Sequence, residues 1–311
     1  MIIYTDNTIY AEKIINKPPA WKLLPINMLN SDIRIPAQKL FSTAKIYTCV
    51  VDLNGFWKHL FIVKSAPSSQ YDILNSICKS NVPLPNGILC LAGEGTGFHG
   101  FRNRSWQSIP GNIHLSAFLS PNCDVNNFHV GFVILSAISV IQAIDCIKDL
   151  ENRASVKWVN DIVISDSKVS GVLANTYTKG KNVTGVVFGI GINVETTPKV
   201  PRDPFVPQVA SLNDFISKSN LRNQGFVFNK LIQQMALNYN ILLDGNYNKL
   251  LNFYRTRSII IGKEVKIFSD PTTGDIEEII EGKVEKIGEN LELFLEGINK
   301  PINKGRLLLK T

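Results

Sequence analysis

The spacing of hydrophobic and polar positions changes several times along the chain, and each change predicts a different kind of element. From Ile46 onward, the segments IYTCVVDL and HLFIVKSA have the composition of strands and are separated by Asn54-Gly55, which predicts a β-hairpin. Residues 71–79 have the spacing of a short helix. Two further buried strands, ILCLAG and NIHLSAFL, lie on either side of a glycine-rich stretch. This part of the chain therefore alternates between strands and helix.

The second half of the chain begins with an apolar helix and ends in a different pattern. Residues 130–150 are apolar almost all the way round, which predicts a helix covered on most sides. The strand-like segments SVKWVNDIVISD, KVSGVLANTYT and TGVVFGIGINV follow, and residues 225–255 then have the spacing of an amphipathic helix. From Ile259 to Lys310, short alternating segments joined by turns predict a small β-barrel of SH3-like size. Residues 1–44 show no regular period and are left unassigned.

Composition is that of an ordinary globular protein and excludes several classes. Of the 311 residues, 44% are hydrophobic and 19% are charged, unlike a disordered or fibrous chain. The five cysteines are scattered without CxxC spacing, so neither a disulfide framework nor a zinc knuckle is indicated, and we expect a reducing, cytoplasmic environment. The N-terminus lacks the pattern of an export signal. The apolar stretch 130–144 is interrupted by Ser136, Ser139 and Gln142, so we expect it to be too short and too polar to span a membrane.

The net charge of the chain does not identify its partners. A formal charge of +7 favours acidic partners, either nucleic acid or an acidic protein. No run of Lys and Arg is concentrated enough to choose between these partners. Residues 1–44 show no helix-turn-helix pattern, so we expect no binding to DNA.

Two segments carry charged side chains suited to catalysis. In GEGTGFHGFRNRSW, glycines let the backbone approach a ligand, and Arg102 and Arg104 can pair with phosphate oxygens; a solvated surface loop is the alternative. In VKWVNDIVISDSKVSGVL, which contains Lys157 and Lys168, a lysine that follows a turn and faces a cleft could neutralise a substrate carboxylate and the α-phosphate of ATP while an acyl-adenylate forms. Asn160 and Asp161 of the same segment could hold a metal or a ribose, or merely build the turn.

Two other segments offer neutral polar groups. Small residues in FGIGIN permit close approach of a ligand before Asn193 ends the strand, although a β-bulge would give the same pattern. Ser68, Ser69 and Gln70 provide donors and acceptors suited to a neutral, ureido-type head group, or else they cap the following helix.

The histidines have no partners at the spacing of metal ligands. His59, His114 and His129 lie in strand or loop segments, so we expect structural roles for them. His99 differs because it lies in the glycine-rich loop.

Taken in their order, these segments resemble the biotin-protein ligase family. The resemblance rests on a glycine/arginine loop ending in Trp, on KWxND followed by Lys168 and GxL, on GxGxN, on Ser-Leu in VASLNDF, and on the C-terminal β-segments. It covers residues 46–311. It implies an α/β fold of the α+β kind, in which helices flank a mixed β-sheet as in class II synthetases, with a small SH3-like C-terminal β-barrel. The implied parts are an unassigned extension at 1–44, a catalytic domain at 45–257 and the β-domain at 258–311, without an N-terminal DNA-binding domain.

The resemblance also implies an activity and a set of site residues. Biotin and ATP would bind in one cleft with Mg²⁺ and form biotinoyl-5′-AMP, from which biotin passes to a lysine of a carboxylase's biotin carboxyl carrier domain. Catalytic roles are implied for Lys168, Arg102 and Arg104, and Asp161 is implied as a ligand of Mg²⁺. The residues implied in binding are Ser68, Ser69, Gln70, Gly95, Thr96, Gly97, His99, Gly100, Phe101, Trp106, Lys157, Asn160, Asp161, Gly171, Asn193 and Arg306.

The chain departs from the family pattern, and these departures keep alternatives open. His99 and Phe101 stand where arginines are expected, and Val159 stands where a proline is expected. Loss of one charge-assisted hydrogen bond would weaken retention of the adenylate by about 1–3 kcal/mol. A lipoate or other acyl ligase of the same superfamily and a non-catalytic protein that binds biotin and nucleotide are the alternative functions. A homodimer stays open, and no membrane partner is expected.

Overall fold

A large mixed sheet of twelve strands and a separate antiparallel sheet of four strands make up the β-structure of the described residues. The computed structural model describes residues 1–15, 20–52, 55–80, 82–201, 203–206, 208–270 and 276–310. The strands are β1 (Ile2–Thr5), β2 (Lys22–Pro25), β3 (Lys45–Val50), β4 (His59–Ala66), β5 (Ile88–Gly95), β6 (Ile113–Leu119), β7 (Cys123–Asp124), β8 (Ala154–Lys157), β9 (Asp161–Ile164), β10 (Ser167–Lys179), β11 (Asn182–Ile192), β12 (Gln208–Val209), β13 (Glu264–Phe268), β14 (Glu278–Ile287), β15 (Leu293–Leu295) and β16 (Arg306–Leu309). The helices are α1 (Thr8–Ile14), α2 (Ser31–Leu40), α3 (Gln70–Lys79), α4 (Phe128–Asp145), α5 (Gln224–Leu243) and α6 (Tyr247–Thr256).

The large sheet runs in the order β2-β3-β1-β4-β5-β6-β11-β10-β9-β8, with β7 paired to β11 and β12 paired to β10. The strands β1, β4 and β5 are parallel, and the strands from β5 to β8 along this order are antiparallel. The small sheet runs β15-β14-β13-β16 and is antiparallel throughout. The predicted fold class, a mixed sheet flanked by helices with a small C-terminal β-sheet, is therefore confirmed.

Both faces of the large sheet are covered, which explains why its strands are apolar on both sides. Along β4, Leu60 and Ile62 belong to the core that also contains α4 and α5, whereas Phe61 and Val63 belong to the core that contains α2. This alternation follows from the two-residue period of a strand. Helix α4 lies deepest and matches the buried helix predicted from residues 130–150.

The expectation that this apolar stretch is too short and too polar to span a membrane was wrong. By length and composition, α4 is long and apolar enough to cross a bilayer. It is also 67% buried inside the fold, and such burial is typical of a core helix.

The predicted hairpin between β3 and β4 was also wrong. Strand β1 lies between these two strands, antiparallel to β3 and parallel to β4. Residue Asn54 of the predicted turn lies outside the described residues. The N-terminal strand β1 thus separates β3 from β4, which the sequence pattern had predicted to pair with each other.

The first 44 residues, left unassigned from the sequence, contribute β1, β2, α1 and α2. The expected boundary at residue 44/45 falls between β2 and β3, which are paired from Lys22 to Pro25. This segment contributes β1 and β2, which lie on either side of β3 at one edge of the large sheet, and it covers one face of the sheet with α2. Further along the chain, the single helix predicted at 225–255 is two helices, because Asp244 ends α5 and Gly245 has a φ of +77°.

Candidate functional site

A cavity of about 310 Å³ lies between the start of α3, the loop after β5 and the strands β6, β10 and β11. Every predicted site residue is among the described residues, and many of them line this cavity. Those that do are Ser69, His99, Gly100, Phe101, Arg104, Trp106, Asn160, Asp161, Lys168, Gly171, Asn193 and Arg306. Those that do not are Ser68, Gln70, Gly95, Thr96, Gly97, Arg102 and Lys157. A larger cavity of about 900 Å³ between α1 and α5 is lined by none of the predicted residues.

Lys168 stands at the start of β10 and faces this cavity. Its Nζ lies 2.6 Å from Oδ1 of Asp161, a residue of the neighbouring strand β9. The same Nζ lies 5.9 Å from the centre of the Trp106 ring, within the range of a cation–π contact. The loop that ends in Trp106 and the strand that begins near Lys168 therefore meet over one cavity.

The Trp106 indole is held on the sheet by two residues that face each other across β6 and β11. Its Nε1 donates a hydrogen bond to Nδ1 of His114, 3.2 Å away. Its ring lies so close to Gly191 that a Cβ at this glycine would be 2.4 Å from Cζ2 of Trp106. His114 and Gly191 are directly paired in the sheet. Sequence reasoning had given His114 no role at this cavity.

Burial lowers the pKa of His114 to about 4. Its Nε2 lies 3.1 Å from the carbonyl oxygen of Ile109 and therefore carries the proton, which leaves Nδ1 free to accept from Trp106. The imidazole is thus neutral, with a tautomer determined by its two partners.

Replacement of His114 by glutamine is expected to reduce the loss of stability in mild acid. Because the pKa of His114 is lowered from 6.5 to about 4 in the folded protein, the unfolded chain binds more protons between these values. The stabilisation that neutral His114 provides is therefore fully present above pH 6.5 and is lost as the pH falls toward 4. Between pH 6.5 and about pH 5, wild type should lose about 2 kcal/mol more free energy of unfolding than the glutamine variant. Urea unfolding at several pH values measures this difference, and equal slopes for both proteins would contradict it.

The two loop arginines differ in what they face. Arg102 has a left-handed backbone (φ 54°), and its Nε lies 3.1 Å from Oδ2 of Asp270, just beyond β13. Arg104 lines the cavity, and its Nη2 lies 4.0 Å from the same carboxylate oxygen. Both guanidinium groups lie over the ring of Phe101, at 5.6 and 5.9 Å from its centre. In this structure Arg102 thus pairs with the C-terminal β-structure rather than lining the cavity.

The contacts of His99 favour the protonated form of its ring. Its Nε2 lies 2.9 Å from Oδ2 of Asp72, and its Nδ1 lies 3.1 Å from the carbonyl oxygen of Gly100. Burial alone would lower the pKa of His99, but the bonds to Gly100 and Asp72 outweigh it and raise this pKa. Because both ring nitrogens face acceptors, the doubly protonated ring satisfies both contacts.

The segment before α3 contains a cap and a buried amide. Ser69 Oγ accepts a hydrogen bond from the backbone N–H of Asp72 at 3.3 Å, so the capping interpretation of this residue is confirmed, although Ser69 also lines the cavity. Gln70 is 1% exposed, and neither of its side-chain polar atoms has a partner among the described residues. A buried amide without partners is costly, but Gln70 does not line the cavity, so the cavity walls do not include this amide.

Asparagines place polar groups along β9 to β11. Asn160, in the turn between β8 and β9, donates to the carbonyl of Val172 on β10 at 2.8 Å. Asn193 donates to the carbonyl of Ala210 at 3.1 Å, while its buried Oδ1 has no partner in the described part of the chain.

Several of the predicted binding residues do not line the cavity and instead contact neighbouring backbone. Lys157 donates to the carbonyl of Phe205, and burial, together with the charges of Lys168 and Arg306, lowers the pKa of Lys157 against the opposing effect of Asp161. Thr96 donates from Oγ1 to the carbonyl of Pro67 at 2.9 Å. The glycine at position 95 is required by space, since a Cβ there would lie 2.6 Å from the carbonyl oxygen of Ala66.

Arg306, on β16, brings the C-terminal sheet to the cavity. Its Nη2 lies 2.7 Å from Oδ2 of Asp203, and its guanidinium stacks 3.8 Å above the ring of Phe205. Burial would raise the pKa of Asp203, but the Arg306 contact and the backbone N–H of Phe205 outweigh it and lower this pKa. The Phe205 ring also packs edge-on against Phe268 of β13. The segment around 203–206 is thus fixed between the cavity and the small sheet.

The carboxylates at the cavity suffice to hold a metal ion only together with oxygen atoms of a bound substrate. The described residues contain no cluster of three or more His, Cys, Asp or Glu side chains that could hold a metal ion. Mg²⁺ often binds through one or two carboxylates together with substrate phosphates. Asp161, beside Lys168 in the cavity, suits this mode of binding.

Residues 68–193 match the model of the Biotin/lipoate A/B protein ligase family. The chain is 31% identical over 134 residues to the bifunctional ligase/repressor BirA of Bacillus subtilis, a match that covers 41% of this chain and 40% of that protein. It is 25% identical over 222 residues to the biotin–[acetyl-CoA-carboxylase] ligase of Mycobacterium tuberculosis, covering 68% of this chain and 75% of that protein. The match thus spans less than half of the BirA sequence.

Solved structures show a similar fold. The biotin protein ligase from Aquifex aeolicus in complex with biotin and ATP aligns with a TM-score of 0.62 and 22% identity, covering 82% of this chain and 99% of that chain. A biotin protein ligase-like protein from Silicibacter aligns with a TM-score of 0.57 and 10% identity, covering 83% and 96% of the two chains. At these identities the likeness concerns the fold alone.

Proposed function

We propose that this protein is an ATP-dependent biotin-protein ligase. In this reaction a carboxylate oxygen of biotin attacks the α-phosphate of ATP, pyrophosphate leaves, and biotinoyl-5′-AMP forms. A lysine amine of a biotin carboxyl carrier domain then attacks the acyl carbon, and AMP leaves. The observation that carries the proposal is the meeting of Lys168 with the loop residues His99, Arg104 and Trp106 in one cavity. The names of the matched relatives support biotin as the acid.

The residues of the cavity suit the first step because it requires neutralisation of charge more than proton transfer. Lys168 can bind the acid's carboxylate and an oxygen of the α-phosphate at the same time, which brings the reacting groups together. Arg104, and His99 when it is protonated, add positive charge on the loop side. Mg²⁺, held by Asp161 and the nucleotide phosphates, would stabilise the leaving pyrophosphate when bound.

The second step requires positioning and exclusion of water, because the mixed anhydride is already activated. Arg306 and Phe205 cover one side of the cavity from the small sheet. The carrier domain of a carboxylase would present its lysine at the cavity mouth, where Phe101 and Val200 are exposed apolar residues. A cytoplasmic location belongs to this proposal and is supported by five free cysteines.

The test is release of pyrophosphate from ATP in the presence of biotin. We expect release that depends on biotin and is not supported by lipoate, and we expect transfer of biotin to a purified carrier domain. Release with lipoate alone would overturn the choice of biotin. Binding of biotin and ATP without release, by a protein that unfolds cooperatively, would overturn the assignment as an enzyme. Binding without release has a physical reason, because Phe101 carries no charge at a position where the family pattern has an arginine.

A further inference from the structure

Beyond the residues recognised by their motifs, we infer that His114 is a positioning residue for the acyl-adenylate site, acting through Trp106. The hydrogen bond that it accepts from the indole N–H fixes the Trp106 ring on the sheet and aligns the ligand-binding loop with Lys168. This inference rests on the proposed function for its kinetic consequence, but not for its structural one.

Residues on both strands beneath the Trp106 ring hold this ring in place. On β11, Gly191 leaves the space that the ring occupies, since any Cβ would lie 2.4 Å from Cζ2. On β6, His114 lies directly opposite Gly191 and supplies a hydrogen-bond acceptor. An acceptor is required because an indole N–H can only donate. Space alone would let the ring slide, whereas the hydrogen bond gives it one orientation.

His114 is itself held firmly, which a positioning residue requires. It is 2% exposed, and its Nε2 donates to the carbonyl of Ile109, within the chain segment that follows the loop. The ring of Phe98, from the start of the same loop, packs edge-on against the imidazole at 5.7 Å. Contacts from Phe98 and Trp106 of the loop, and from Ile109 just after it, thus surround one imidazole.

The consequence reaches Lys168 because the indole lies beside its ammonium group. Asp161 pairs with Nζ on one side, and the Trp106 ring lies 5.9 Å away on the other. Without the His114 hydrogen bond, the loop would have to be ordered when the ligand binds, and part of the binding free energy would be spent on that ordering. The expected signature is therefore a change in apparent affinity rather than in the chemical step.

The test is a double-mutant cycle between His114 and Trp106, with pyrophosphate release as the readout. H114L is expected to raise the KM for biotin by roughly tenfold and to change kcat by less than about threefold. H114Q, whose amide oxygen can still accept, should recover most of this loss. W106F keeps the ring but lacks the N–H, so H114L should have no further effect on KM in the W106F background. H129Q serves as the matched control, because His129 is an exposed histidine outside the cavity.

A purely structural role for His114 would give different results. In that case H114L would lower the unfolding midpoint and kcat, with KM unchanged, and would do so equally in the wild-type and W106F backgrounds. Failure of H114Q to recover the KM would likewise overturn the inference.

A second readout needs neither biotin nor ATP. The fluorescence of Trp106 is obtained as the difference between each protein and its W106F counterpart, and H114L should shift this difference spectrum to longer wavelength as the indole becomes solvated. An unchanged difference spectrum would overturn the positioning role of His114. Absence of pyrophosphate release in wild type, together with the expected spectral shift, would overturn the proposed function and leave the positioning of Trp106 supported.

Discussion

Replacement of Lys168 by alanine is expected to lower the rate of biotin-dependent pyrophosphate release by about 10²- to 10³-fold. The reason is electrostatic. Lys168 provides a positive charge where a carboxylate and a phosphate must meet, and the loss of a preorganised donor at such a point weakens binding of the transition state more than binding of either substrate. The rate is measured under saturating biotin and ATP, so that a change in kcat is separated from a change in KM.

Two comparisons make this result specific to the position of the charge. K179A removes an exposed lysine from the other end of the same strand, β10, and should leave the rate unchanged. The free energy of unfolding of K168A should stay close to that of wild type, because the remaining partner Asp161 is partly solvated, with 22% of its side chain exposed. A rate within a few-fold of wild type for K168A would remove the role assigned to this residue.

The meeting of Lys168 with the glycine-rich loop was predicted from the order of motifs along the chain, and the structure places both at one cavity. Such motifs have fixed spacing and contain residue types with few alternative roles. They therefore predict well where a site lies. The strand and helix pattern likewise predicted β5, β6, α3 and α4.

The errors about strand pairing and about Arg102 arose where partners are distant in sequence. The hairpin of β3 and β4 was a local interpretation, and β1, some 40 residues earlier, took the place of the expected partner. For the same reason the pairing of Arg102 with Asp270 was not predicted, since 168 residues separate them. Pairing of strands depends on which segments come together, and a short apolar strand such as IIYT has no signal that identifies its neighbours.

The histidine at position 114 shows a further limit of motif reasoning. Its significance depends on Gly191, which lies opposite on β11, and on the ring that fills the space between them. The sequence contains one usable sign, namely that His114 and Ser116 are polar residues within an otherwise apolar strand. A polar residue in a buried strand must find a partner, so it calls for an explanation even when no motif includes it.

The second prediction with a large effect concerns Trp158, the tryptophan of the KWVND segment. This side chain is 8% exposed and donates from Nε1 to the carbonyl oxygen of Leu291 at 2.7 Å, between β14 and β15 of the small sheet. W158A is expected to reduce the free energy of unfolding by about 3–5 kcal/mol, because it removes a large buried ring and leaves a buried carbonyl without a donor. Urea unfolding followed by far-UV circular dichroism measures this loss.

W158A is also expected to reduce pyrophosphate release, since the small sheet carries Arg306 to the cavity and Trp158 connects that sheet to the turn before Asp161. W158F separates packing from hydrogen bonding: it fills most of the space and lacks the N–H, so we expect it to lose only about 1–2 kcal/mol. An unfolding midpoint of W158A equal to that of wild type would show that the segment's tryptophan does not join the two sheets. Loss of activity in W158A without loss of stability would instead assign Trp158 to the chemistry, as a residue that acts at the cavity rather than beneath it.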